Sequence, residues 1–143
     1  MPGKSAAFSN AFLSLVFEGK PLAGLFQNDT LAPTTVIYIS LHNADPTPNG
    51  NQSTNEVAYS GYTRVGVIRT AAGWNISGEV LTPVSPILFP VSTGGNDVAS
   101  YFGIGQNFSG PGFLFYAGAL NPPITCSISI QPQMTNMTSL TEV

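Results

Sequence analysis

Charge is what this sequence has least of. Lysine and arginine number four and aspartate and glutamate seven, so charged residues make up 8% of 143, against about 25% in an average soluble domain. A soluble monomer keeps a charged, mixed-sign surface to prevent association. A chain this poor in charge is expected to leave much of its surface neutral, or to cover it with other chains. The cations Lys4, Lys20, Arg64 and Arg69 form no patch and the formal net charge is −3, so the footprint needed to grip phosphates is missing and no direct nucleic-acid contact is expected. The single cysteine, Cys126, excludes an intramolecular disulfide and any multi-cysteine metal site, which fits assembly in a reducing cytoplasm. No run approaches the ~18 apolar residues of a membrane span, so no membrane partner is expected. The stretch from Ala11 to Phe17 is broken by Ser14 and followed by Glu18, without the cleavage pattern of a secretory signal, and is read as mature sequence.

What fills the sequence instead is Asn, Ser, Thr and Gln, with 15 Gly and 12 Pro, the mixture of short strands joined by many turns. Asn10 is suited to cap a short helix over Ala11 to Glu18, with Gly19 as its stop and Pro21 beyond it. Val36 to Leu41 is a nearly continuous apolar run, as in a strand covered on both faces. Turn formers occupy His42 to Asn55. Strands are then expected over Tyr59 to Arg69, over Trp74 to Leu81 with one buried and one wet face, and over Ile87 to Phe89. The prolines around that last piece place it at a sheet edge or corner. Further strands are expected over Val98 to Gln106, Phe113 to Ala119 and Ile124 to Ile130, the last alternating strictly with period two. Short strands with turn signals every 8 to 15 residues predict a mainly β fold, an antiparallel β-sandwich or jelly-roll-like single domain with a short N-terminal helix and extended termini. The expected organisation is an arm over 1–33, a body over 34–130 and a tail over 131–143.

Residues suited to chemistry are few. His42 is the only histidine and enters a Pro/Asn loop, which reads as a solvated position; a hydrolytic site combining it with Asp45 would lack further members. No G-X-S-X-G elbow surrounds a serine. The carboxylates are scattered, and Asp45 and Asp97 lack the spacing of a calcium loop. Gly103-Ile104-Gly105 begins like a dinucleotide fingerprint, but Phe108 stands where the third glycine belongs. Phe113 and Phe115 read as core packing rather than a stacking surface. These observations predict no enzyme activity, no cofactor and no metal.

One ordered set of short motifs carries a resemblance. Leu41-His42-Asn43-Ala44-Asp45-Pro46 is followed by Asn55-Glu56-Val57, Gly61-Tyr62-Thr63-Arg64-Val65, Phe89-Pro90, Phe102-Gly103-Ile104-Gly105 and Phe115-Tyr116-Ala117-Gly118-Ala119-Leu120. Over about residues 10 to 120 this set resembles small tailed-bacteriophage virion structural proteins, often labelled tail-fibre proteins. The resemblance implies a structural role in the virion, with assembly in the bacterial host cytoplasm, and transfers no catalytic residue. Joined to the low charge, it leads to the expectation of a capsid decoration or cement protein, a homotrimer seated on the major capsid protein. The alternative is a tail-fibre or baseplate component contacting host glycans through Tyr59, Tyr62 or Trp74. Because large apolar groups near both ends need cover, Phe8, Phe12, Val16, Phe17, Leu22, Phe26, Met134 and Met137 are the candidate subunit contacts, with the ends reaching over neighbouring subunits.

Overall fold

A computed structural model describes residues 5–21, 33–47 and 49–141, and these fall into two compact units, each assembled from pieces distant in sequence. Among the described residues the fold is mainly antiparallel β with one helix and open sheets, consistent with the sandwich class expected from the strand pattern. No helix among the described residues is long and apolar enough to cross a membrane.

The first unit takes in residues from 1–36, 68–86 and 135–143. Its helix α1, Ala6–Glu18, begins five residues before the expected start, because Ser5 rather than Asn10 is the N-cap and its Oγ accepts from the Phe8 amide at 3.2 Å. Asn10 instead accepts the Glu79 amide at 2.7 Å through its Oδ1. Gly19 ends the helix in the left-handed region at φ 69°, where a side chain would be strained. Leu13 and Phe17, four residues apart and hence on one helix face, are both 0% exposed. Strands β3, Trp74–Ser77, and β4, Val80–Pro83, form a hairpin where a single strand to Leu81 was expected. Gly78 and Glu79, both at positive φ, make the mirror-image two-residue turn whose twist suits a hairpin. The Phe17 ring meets Trp74 edge-on at 4.8 Å between centroids. The helix thus packs on its own chain. The Arg69 guanidinium fastens its far end by donating to the carbonyls of Leu15 and Val16, acceptors a helix leaves open at its C-terminus, and it also donates to the Thr34 carbonyl.

The second unit takes in residues from 37–67 and 87–134. Strands β1, Val36–His42, β2, Val65–Ile68, β6, Asp97–Gly105, and β7, Leu114–Cys126, form a sheet in the order β2-β1-β6-β7. As its apolar run requires, β1 is central and mostly buried. Strand β5, Ile87–Leu88, is the predicted short edge piece. The expected second strand shrinks to four residues, since residues 59–64 turn rather than extend.

The two strands expected over 113–119 and 124–130 are one, β7, and it stops at Cys126. Of the apolar members of the strict alternation, Ile124 and Cys126 lie in β7, whereas Ile128 and Ile130 are 62% and 43% exposed beyond it. Ser129 stands at φ 66° and donates its amide to the Ser92 carbonyl, so the alternation beyond Cys126 belongs to a turn. The polar stretch after Pro132, which carries no period of its own, supplies two short strands. Strand β8, Gln133–Met134, pairs with β5 in the second unit, and β9, Leu140–Thr141, pairs with β4 in the first.

The candidate contact residues separate accordingly. Phe17 and Met134 are buried in the chain's own core, Phe12 and Val16 are half-buried, Phe8 and Met137 are exposed, and Leu22 and Phe26 lie outside the described residues. Replacing Phe17 by Ala removes a fully buried ring, and urea denaturation is expected to show a loss of about 3–5 kcal/mol. A loss under about 1 kcal/mol would mean that the helix adds nothing to the core of its unit.

Candidate functional site

The motifs that are scattered along the sequence meet in the second unit around Arg64. Its side chain is 2% exposed, and a guanidinium taken from water needs its donors matched. Nε donates to Glu56 Oε1 at 2.7 Å and Nη2 to Glu56 Oε2 at 2.8 Å, a bidentate pair. The remaining donors reach the Asn107 carbonyl at 2.9 Å, the Gly110 carbonyl at 2.7 Å and Ser53 Oγ at 3.3 Å. One arginine therefore ties the loop before Glu56 to the loop between β6 and β7. Tyr62 extends the network: its hydroxyl donates to Glu56 Oε1 at 2.8 Å and accepts the Leu41 amide at 3.1 Å. Burial, with the Glu56 carboxylate alongside, drives the Tyr62 phenol well above its ordinary range.

The backbone explains how Glu56 arrives there. Asp45 accepts both the amide and the hydroxyl of Thr47, bonds that hold its carboxyl below the usual range and close the turn after His42. A Cβ on Gly50 would run into the Pro46 carbonyl, so the loop packs this tightly only with glycine there. Asn55 adopts φ 56°, and Glu56 then bridges back to His42 while the Val57 amide donates to the Leu41 carbonyl at 3.0 Å.

His42 is not the solvated loop residue its neighbours suggested. It is 0% exposed, at the end of β1, with Nδ1 2.7 Å from the Thr54 carbonyl and Nε2 2.8 Å from Ser40 Oγ. A carbonyl only accepts, so Nδ1 carries the proton and Nε2 accepts from the serine hydroxyl. This is the spacing of a nucleophile and its base, but Ser40 is also 0% exposed, so the pair is buried on both sides of the bond. Gly103 opposite Ser40 in β6 leaves the space the pair occupies: a Cβ there would lie 2.6 Å from His42 Nε2 and 2.7 Å from Ser40 Oγ.

Gln52 repeats this arrangement and was missed in the sequence. It is 0% exposed; its side-chain Oε1 accepts the Asn107 amide at 2.8 Å and its backbone amide donates to the Gly112 carbonyl at 3.0 Å. A Cβ on either Gly105 or Gly112 would overlap its side chain. The available signal was the pair of glycines, Gly105 and Gly112, that leave room for a polar loop residue.

The rim is less polar than expected of packed aromatics. Phe113 is 69% exposed and Phe108 55%, against the expectation that Phe113 is core, because both sit on the β6–β7 turn. Each is braced edge-on by another ring, Phe113 by Phe115 at 5.6 Å and Phe108 by Tyr38 at 5.8 Å. Tyr59 and Trp74, expected in a glycan groove, are 4% and 3% exposed, and burial pushes the Tyr59 phenol up to about 12. A shallow polar cleft of about 640 Å³ lies elsewhere in this unit, lined by residues including Asn43, Asp97 and Thr125. Its carboxylate is already engaged by the Asn43 side chain and the Ala58 and Val98 amides. Among the described residues, no three His, Cys, Asp or Glu side chains gather as a metal site would require.

Two outcomes follow from the buried network. Arg64→Ala leaves the half-buried Glu56 and the Asn107 and Gly110 carbonyls without their donor, and urea denaturation is expected to report a loss of about 2–4 kcal/mol; a loss below about 1 kcal/mol would show the network to be dispensable. Burial, more than any neighbour, holds the His42 imidazole below its ordinary value. The unfolded chain therefore takes up this proton first, near pH 6.5, so the stabilisation from neutral His42 is full above that pH and is lost as pH falls through the lower folded value. The wild type should weaken between pH 7 and 5 more steeply than His42→Gln, and equal slopes would refute the assignment.

A family model described as podophage GP4 fiber I protein gp80 matches residues 12–129, more than half of the chain. A comparison with curated proteins gives no match. The matched span starts inside α1, continues past the end of β7 and holds every residue of the network around Arg64. The chain belongs to the podophage GP4 fiber I protein gp80 family, and with it to the structural proteins of the tailed-phage virion.

Proposed function

We propose that the chain is a non-enzymatic structural subunit of the phage tail fibre or of its attachment to the particle. The observation that carries this reading is the use of the motif residues. Arg64, Glu56, Tyr62, His42 and Ser40 all bond to one another or to backbone inside the second unit, where they hold loops in place. Such a network supports a rigid part. The family name favours a fibre over the capsid cement role that the resemblance and the low charge together suggested, since low charge suits any close contact between subunits and does not distinguish a shell from a fibre. Both arginines bond to internal carbonyls or carboxylate, which supports protein neighbours rather than nucleic acid.

Immunogold labelling of intact virions with an antibody to this chain tests the placement. Label is expected on the tail appendages, and particles lacking the protein should keep intact heads. Label distributed over the head, together with heads that leak genome when the protein is missing, would return the chain to the decoration role.

A further inference from the structure

We propose that copies of this chain associate head to tail, the aromatic tip of the β6–β7 hairpin in one copy, Phe108 and Phe113, docking on the aliphatic patch Val91, Ile128 and Ile130 of the next. This names a partner for the proposed structural subunit and rests on that reading. The hairpin sets the geometry. Its ladder runs from Asp97 opposite Cys126 at one end to Gly105 opposite Leu114 at the other, and the nine residues of β6 hold those ends roughly 25 Å apart at the rise of an extended strand.

The turn that closes the far end carries Phe108 and Phe113, 55% and 69% exposed. Each ring is braced edge-on by another, and Arg64 ties down the turn through the carbonyls of Asn107 and Gly110. The tip is therefore ordered before anything binds it, which lowers the cost of burying it. At the other end the chain leaves β7 for the turn at Ser129. The Ser92 amide donates to the Ile130 carbonyl and the Ser129 amide to the Ser92 carbonyl, so residues 91–92 lie against 129–130. Val91, Ile128 and Ile130 stand on this piece of backbone and are 45%, 62% and 43% exposed.

Two exposed apolar patches a hairpin's length apart cannot cover each other within one copy. A tip-to-tip contact would leave the aliphatic patch in water, whereas a head-to-tail contact covers both patches with one kind of interface. Charge does not oppose it. No Asp, Glu, Lys or Arg occurs between Asp97 and Glu142, and the Asp97 carboxylate, at the patch end of the ladder, is already engaged by Asn43 and two backbone amides. Such a contact is heterologous: it closes into a ring where the rotation between copies allows, a ring of three included, and otherwise extends as a filament.

Sedimentation velocity of the full chain over a concentration series tests this. The wild type is expected to associate. Phe113→Asp and Ile128→Asp should each weaken association about tenfold or more with an unchanged circular dichroism spectrum, while Ala119→Asp, which puts the same charge on an exposed position midway along β7, should not. Each of the first two variants keeps one working end, so their equimolar mixture should recover a one-to-one dimer that neither forms alone. A wild type that stays monomeric, a folded Phe113→Asp or Ile128→Asp variant that associates like the wild type, an equal effect of Ala119→Asp, or a mixture that stays monomeric would each overturn the proposal. Should a variant misfold, radical footprinting of the wild type decides: oxidation of both Phe113 and Ile128 must fall as concentration rises, and protection of only one, or of neither, overturns it. Virion labelling addresses only placement, so either reading can fail without the other.

Discussion

The second unit depends on the bidentate pair between Arg64 and Glu56. A buried ion pair is weak evidence of net stability, since desolvation of both charges offsets their attraction. Its effect here is on geometry. A guanidinium presents its donors in a fixed plane, and these donors reach Glu56 and Ser53 on one loop and the carbonyls of Asn107 and Gly110 on another. Those acceptors must lie where the fork points. Lysine would keep the charge and lose that plane. The arrangement fixes two irregular segments without regular secondary structure, which suits a part that must hold its shape.

The first unit uses its arginine differently. Arg69 donates to carbonyls near the end of α1 and to Thr34, so the charge meets the negative end of the helix rather than a carboxylate. With Lys20 paired to Glu18 at 2.6 Å, three of the four cations in the sequence have internal or local partners. An already charge-poor chain therefore has even less free positive charge with which to keep copies apart, which connects the interior chemistry to the tendency to associate.

How far the sequence could be read depended on whether a signal was local. The central strand β1, the edge piece β5 and the Gly19 helix stop were legible because burial period, proline and glycine act where they stand. The N-cap was misplaced because Ser5 and Asn10 are both good caps, and the Glu79 amide that engages Asn10 is 69 residues away. Ile124 to Ile130 alternates as a strand would, but the bonds of Ser129 and Ile130 to Ser92 and Ser127 impose a turn. His42 looked solvated because its neighbours in sequence are loop formers, whereas its surroundings are Ser40, Thr54 and Gly103. The motif set was legible as an ordered pattern, yet nothing in its spacing showed that Arg64 is where its members meet.

The glycines and the polar side chains of the second unit are best understood as one device. Gly103 leaves room for His42 and Ser40, and Gly105 and Gly112 leave room for Gln52. A glycine in a strand interior costs conformational entropy, a cost offset here because each gap admits a polar group that bonds a loop carbonyl or amide. The exchange runs in both directions: filling the gap displaces the polar group, and truncating the polar group leaves a void beside bare backbone. Loops anchored this way need no disulfide and no metal, which is how a chain with a single cysteine can carry long turns between its strands. The same anchoring holds the β6–β7 turn, so the exposure of Phe108 and Phe113 follows from where Arg64 and Gln52 fix its backbone.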